Sequence, residues 1–177
     1  GILVKGIDKV DLFERISISE NIVEGSLDNF NNNSIIIGSR LASFLNLKLD
    51  DKVSLVTAAN TTTPFGSIPN TANFEVVAIF DVGMYNYDRN IAFIPRNISA
   101  KLSNKNLNYI SQIEIFLTEI STLKSTEQKI SNLFGKQGNV YTWETIHKEL
   151  FNALKIEKKL IFLILSLIIF IAAFNLV

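Results

Sequence analysis

His147 is the sole histidine of the 177-residue chain, and no cysteine accompanies it. One imidazole without a thiol leaves no cysteine-based zinc site, and the chain holds no Walker A, G-x-S-x-G or H-E-x-x-H pattern. Asp8, Asp11 and Glu14 alternate with Lys5, Lys9 and Arg15, which reads as a solvated face. Asp50-Asp51 lacks the spaced oxygens of a calcium loop. Tyr85, Tyr87 and Asp88 form a compact aromatic–acid group that could line a surface cleft. None of these sets joins a nucleophile to a base, so neither catalytic residues nor a bound cofactor or metal is expected.

The residues that suggest chemistry are of another kind. Pro64-Phe65-Gly66-Ser67-Ile68-Pro69 lies inside the polar stretch 60–71. Two prolines lower the entropy lost when a loop docks, and Phe65 and Ile68 are costly to leave in water without a partner. The segment reads as a docking loop for another protein, against the plainer reading of a hairpin loop whose Phe folds back on the sheet.

The elements that must present this loop follow from periodicity. Ile2–Ile7 reads as a strand, and Ser34-Ile35-Ile36-Ile37 is a short apolar run ending at Gly38, the mark of a buried strand. Ser39 opens a helix with Leu41, Phe44 and Leu45 on one face. Strands are expected at Val53–Ala59 and Phe74–Asp81, joined as a long-looped hairpin. Ile91–Ile94 is a further strand, and Pro95 starts a helix to about Leu102. A second unit is expected as a strand at Tyr109–Leu117, a helix at Thr122–Phe134 and a strand at Val140–Trp143, with Trp143 as a packing anchor.

From Glu144 the pattern is one amphipathic helix that runs without a breaker into Leu160–Val177. That last stretch is apolar except for Ser166 and Asn175 and carries no charge. A helix apolar on every face suits lipid, because its own hydrogen bonds satisfy the backbone. At ~1.5 Å per residue the run covers roughly 27 Å, just short of a ~30 Å hydrocarbon core. Both ends fall inside expected elements and no signal peptide is visible, so the sequence reads as an internal segment of a membrane protein, cut in mid-helix. A formal net charge of +0 gives no electrostatic footprint for nucleic acid.

Ordered blocks of the sequence carry a family resemblance. Ile35-Ile36-Ile37-Gly38 with Leu41-Ala42, Leu45 and Val53-Ser54-Leu55 is one. Thr63-Pro64-Phe65-Gly66 with Ile68-Pro69, and Val77–Phe80 with Val82–Tyr85 and Tyr87-Asp88, are two more. Trp143 with Phe151–Leu154, leading to Glu157-Lys158 and Ala172–Asn175, completes the set. Together they resemble lipoprotein-releasing ABC transporter permeases of the LolC/LolE type, within the MacB-like and FtsX-like permeases.

The resemblance implies an α+β or α/β fold: a MacB-like periplasmic domain with a mostly-β sabre lobe and an α/β porter lobe, followed by a transmembrane helix. It divides the chain into a porter-side start (1–33), a sabre-like lobe (34–105) with a hook loop (60–71), a porter-like unit (106–143), a stalk helix (144–159) and a truncated membrane helix (160–177). It implies residence in a bacterial inner membrane, with 1–159 in the periplasm. The implied partners are a cytoplasmic ATPase subunit, a second permease copy or paralogue, lipoprotein substrates, the bilayer and a LolA-like periplasmic carrier docked by the hook. ATP hydrolysis would belong to the partner, so the chain itself is not expected to be an enzyme. Two departures stand out. Asp51 replaces the usual glycine, and Asn70 or Asn73 stands where such permeases tend to carry a basic residue after the hook. Lys155, Lys158 and Lys159 flank the globular side of the last helix, where the positive-inside rule alone would place the cytoplasm. The alternatives are a mechanotransmission permease for efflux or cell-wall hydrolase control, and a membrane-anchored binding domain without an ATPase.

Overall fold

The strand Ser34–Gly38 (β3) is buried along its whole length, and the two faces of its Ile-Ile-Ile run seed two separate cores. Side chains alternate across a strand, so Ile35 and Ile37 point to one side and Ile36 to the other. A computed structural model describes every residue except Phe65, Lys136, Gln137, Leu176 and Val177, together with all side chains but those of Ile16, Thr63 and Asn175. The chain divides into two units, Gly1–Gln112 and Ile113–Val177.

The first unit is a mixed six-stranded sheet with helices. In chain order its elements are β1 (Leu3–Ile7), α1 (Lys9–Glu14), α2 (Ile16–Ser19), β2 (Ile22–Gly25), β3, α3 (Ser39–Leu45), β4 (Lys52–Thr63), β5 (Gly66–Phe80), α4 (Tyr85–Asn90), β6 (Ile91–Pro95) and α5 (Arg96–Leu102). The strand order is β1-β6-β3-β5-β2, and β4 pairs with β5. β1 runs parallel to β6 and β3 parallel to β5; the other pairings are antiparallel.

On one face Ile35 and Ile37 pack with Leu41, Leu55, Phe74, Val76, Ala92 and Ile94. On the other, Ile36 packs with Leu12, Ile18, Phe80, Ile91 and Phe93. The β3–β5 register shifts between Ile35 and Ile36, whose partners are Val76 and Ala78. Such a bulge lets Val77 and Ala78 both serve the second core without flipping the rest of β5.

The second unit holds α6 (Leu123–Phe134), α7 (Trp143–Ile146) and α8 (Lys148–Asn175), with a 3-10 turn at Ile120–Thr122. It departs from the expected strand–helix–strand order. Neither Tyr109–Leu117 nor Val140–Trp143 is a regular strand among the described residues, and Ile110, Ile113, Ile115 and Phe116 are exposed. Alternation marks a face, but a strand persists only in a ladder of several partners. Trp143 is 59% exposed and opens α7, where it packs on His147 and Phe151 at ring separations of 5.0 and 5.3 Å. It is a local helix clasp and not a core anchor. The expected unbroken helix from Glu144 is interrupted at His147, whose backbone leaves the helical region (φ −105°, ψ 36°) before α8 begins.

Candidate functional site

The segment expected as a loop over 60–71 is a β-ribbon. β4 and β5 pair from Lys52↔Glu75 to Val56↔Thr71, shift register, and pair again from Asn60↔Pro69 through Thr61↔Ile68 and Thr62↔Ser67 to Thr63↔Gly66. The expected long loop is thereby corrected: the strands remain paired as far as Thr63↔Gly66, and Pro64 follows β4 in a turn. Three consecutive β-branched threonines favour the extended strand. Pro64 sits in the connection, and Pro69 follows the register shift at the rim of the sheet, where a missing N–H is tolerated. Gly66 has φ +128°, a conformation that L side chains rarely adopt, so this position suits glycine.

Pro64, Gly66, Ser67, Ile68 and Pro69 are all exposed, Ile68 at 56%. Phe65, the aromatic of the expected hook, lies outside the described residues. β3 meets β5 only from Glu75 onward, so toward its tip β5 keeps β4 as its one partner strand among the described residues. No Asp, Glu, Lys, Arg or His occurs between Lys52 and Glu75. The described part of the tip therefore exposes apolar surface and backbone groups, with no charge.

The ribbon is tied to the end of α5 by side chains that periodicity could not mark. Asn70 Nδ2 donates to the Leu102 carbonyl and to Asn104 Oδ1, both at 2.9 Å. Asn104 Nδ2 donates to the Asn60 carbonyl at 2.9 Å, and Thr61 Oγ1 donates to Asn70 Oδ1 at 2.6 Å. One signal was available in the sequence: an asparagine just past a helix end, suited to the left-handed conformation. Asn104 has φ +54°.

The structure does not gather Tyr85, Tyr87 and Asp88 on one open surface. Tyr85 is 61% exposed beneath the Arg40 guanidinium, while Tyr87 meets Phe80 edge-on at 6.0 Å. Asp88 is buried, and its Oδ1 accepts the Val82 N–H at 3.0 Å. Beside it, Asp81 accepts from Ser39 Oγ at 2.8 Å and from the Gly83 N–H at 2.9 Å. Burial pushes the Asp88 carboxyl above its ordinary value, helped by the Asp81 charge. The Ser39 hydroxyl, with the Gly83 N–H, holds Asp81 below its own. This pair fastens the β5–α4 turn to the start of α3.

A concavity of about 740 Å³ is lined by residues that include the apolar Val4, Leu41, Phe44, Val56 and Leu102, together with Arg89. Arg89 stacks over the Phe44 ring at 3.7 Å. Among the described residues no group of three or more His, Asp or Glu side chains could hold a metal ion. In the second unit, His147 packs against Trp143 with the rings tilted by 56°.

Comparison with known proteins agrees with the family resemblance. The chain is 26% identical over 179 residues to the lipoprotein-releasing system transmembrane protein LolC of Xylella fastidiosa (strain 9a5c), covering 100% of this chain and 42% of that protein. The LolC of Neisseria meningitidis serogroup B is 28% identical over 159 residues, 89% of this chain and 37% of its own. The LolC of Buchnera aphidicola subsp. Schizaphis graminum is 30% identical over 145 residues, 80% of this chain and 35% of its own. No family model matches the chain. The resemblance to LolC-type permeases, read first from the sequence blocks, is thus borne out over most of the chain. The chain spans 35 to 42% of the length of these three relatives.

Proposed function

We propose that the chain is part of the membrane subunit of an ABC transporter that releases lipoproteins from the bacterial inner membrane and hands them to a soluble periplasmic carrier. The observation that carries this reading is the similarity to LolC proteins, which in the Xylella relative runs along the whole chain, ribbon included. In this reading residues 1–159 lie in the periplasm and the ribbon tip, Pro64 to Pro69, docks the carrier. ATP is hydrolysed by a separate cytoplasmic subunit, and a second permease copy or paralogue completes the membrane portion. Helix α8 links the extramembrane region to the bilayer. The lobes keep the sabre-like (34–105) and porter-like (106–143) roles that the resemblance implies. An exposed, uncharged, proline-bounded tip supports the docking role, because apolar area at a tip of restricted conformation gains from a partner at small entropic cost.

Truncating Phe65 tests the docking role. Loss of one well-buried interface aromatic commonly costs about 2 kcal/mol or more, roughly thirtyfold in affinity. The Phe65→Ala variant of the full permease should bind the purified carrier correspondingly more weakly in calorimetry while keeping its melting temperature. Unchanged affinity, or an unfolded variant, would show Phe65 to be an ordinary packing residue.

A further inference from the structure

A two-stranded ribbon is a poor pointer on its own. It is marginally stable, and each bulge adds bend and twist. Here the register shift leaves residues 57–59 of β4 opposite Asn70 alone, midway along the ribbon. Beyond that shift the direction of the tip is free unless something outside the ribbon fixes it.

We infer that Asn60, Asn70 and Asn104 form a positioning knot, which locks the outer ribbon to the C-terminus of α5 and so holds the tip in one direction for docking. This inference rests on the docking role proposed above. The bonding is complementary in every member. Both hydrogens of the Asn70 amide are used, one on the Leu102 carbonyl and one on Asn104 Oδ1, while its oxygen accepts from Thr61. The Asn104 amide passes the chain on to the Asn60 carbonyl. Pro69, the residue paired with Asn60 across the ribbon, has no N–H to offer.

The far anchor is rigid. Leu102 is buried, and its carbonyl is one of the last of α5, a group that a helix leaves without an intrahelical donor. Asn70 supplies the donor, and Thr57 Oγ1 lies 3.2 Å from the same oxygen. Asn104 is held in its left-handed conformation by its own N–H on the Lys101 carbonyl and by the Lys105 N–H on the Ala100 carbonyl. The ribbon is thus fixed at the shift itself, where it would otherwise hinge.

The chain has no cysteine of its own, so once any thiols elsewhere in the full permease are replaced by serine, two can be introduced here without background. Spin labels at the exposed positions Ser67 and Glu20 report the distance from tip to sheet by electron–electron resonance on the full permease in nanodiscs. Wild type should give one narrow distribution. Asn70→Ala and Asn104→Gly should each broaden it with little change in melting temperature; glycine keeps the left-handed turn while removing the amide. If the broadened tip spends about a fifth of its time in the docking direction, affinity for the purified carrier falls about fivefold. Distributions that stay narrow in both variants overturn the knot. Broadening without weaker carrier binding, while Phe65→Ala does weaken it, overturns its role in docking. Phe65→Ala with unchanged binding instead refutes the docking role, and the label distances still decide whether the knot fixes the ribbon.

Discussion

Gly38 ends the buried run of β3, and no side chain fits there. A Cβ at this position would sit 2.1 Å from the Asp88 carbonyl oxygen, and the atoms it meets are backbone. Its φ of −75° is ordinary, so the requirement is space and not conformation. Gly38→Ala must push α4 away from β3, and overpacking of this kind costs typically about 1–3 kcal/mol. For a chain of this length the melting temperature should drop by about 2–12 °C; an unchanged melt would mean that α4 yields freely.

Asp88, just across from Gly38, gives a second outcome at the same scale. Because burial raises its native pKa, folding is favoured while the proton is bound. That contribution is whole below the ordinary carboxylate range and disappears as pH climbs through the native value. Asp81 acts in the opposite sense: its lowered pKa stabilises the fold above the ordinary range and is lost as pH falls through its native value. Asparagine at 88 keeps an oxygen for the Val82 N–H and removes the buried charge. Asp88→Asn should therefore raise the melting temperature relative to wild type more at pH 7 than at pH 3.5. Parallel melting curves across that interval would show that Asp88 does not titrate with folding. The sequence set Tyr85, Tyr87 and Asp88 together as a possible cleft lining; they lie on the helix α4, and spacing cannot say that the acid turns inward and one tyrosine outward.

Elements were legible where one residue pattern had one physical reading. The Ile35–Ile37 run, the Ser39 helix start and the Pro95 helix start all follow from local rules, and the structure has β3, α3 and α5 at those places. The ribbon was misread because Pro64 and Pro69 are breakers in most contexts; only the pairing shows that one sits in the turn and the other beside a register shift. The strands expected near 109–117 and 140–143 failed for the converse reason, since alternation is local and partners are not. The same ribbon makes a prediction that needs no mutation. With no charged residue from Val53 to Phe74, the docking proposed for it should depend little on ionic strength. Carrier affinity measured at 50 and 500 mM salt should agree within about twofold, whereas a steep salt slope would place the interface on the charged surface outside the ribbon.

At the scale of the whole molecule, the two units end in different physical worlds. The first closes two apolar cores around its sheet. The last helix does the reverse: from Leu160 to Phe174 it carries no charge, and its large side chains are exposed on every face, from 51% at Ile161 to 73% at Phe162. Among the described residues no helix is long and apolar enough to cross a membrane. At ~1.5 Å per residue the charge-free stretch to Phe174 reaches roughly 22 Å, under the ~30 Å of a hydrocarbon core. Yet water is a costly surrounding for it. An exposed Leu, Ile or Phe forgoes about 1.5–3 kcal/mol relative to burial, and here more than ten of them share one helix. Lipid meets all faces at once and asks for no partner side chains, and Ser166, the polar interruption, already spends its hydroxyl on the Phe162 carbonyl at 2.8 Å. Lys158 and Lys159 stand where the polar boundary would fall, with stems long enough to keep their charges in water. The helix should therefore hold the chain in membranes under alkaline carbonate extraction. Replacing Leu163 and Ile168 by arginine should release it, because each buried charge costs about 2.5–3.5 kcal/mol near the bilayer centre. Recovery of the wild-type chain wholly in the soluble fraction would mean that this helix buries its apolar faces against protein.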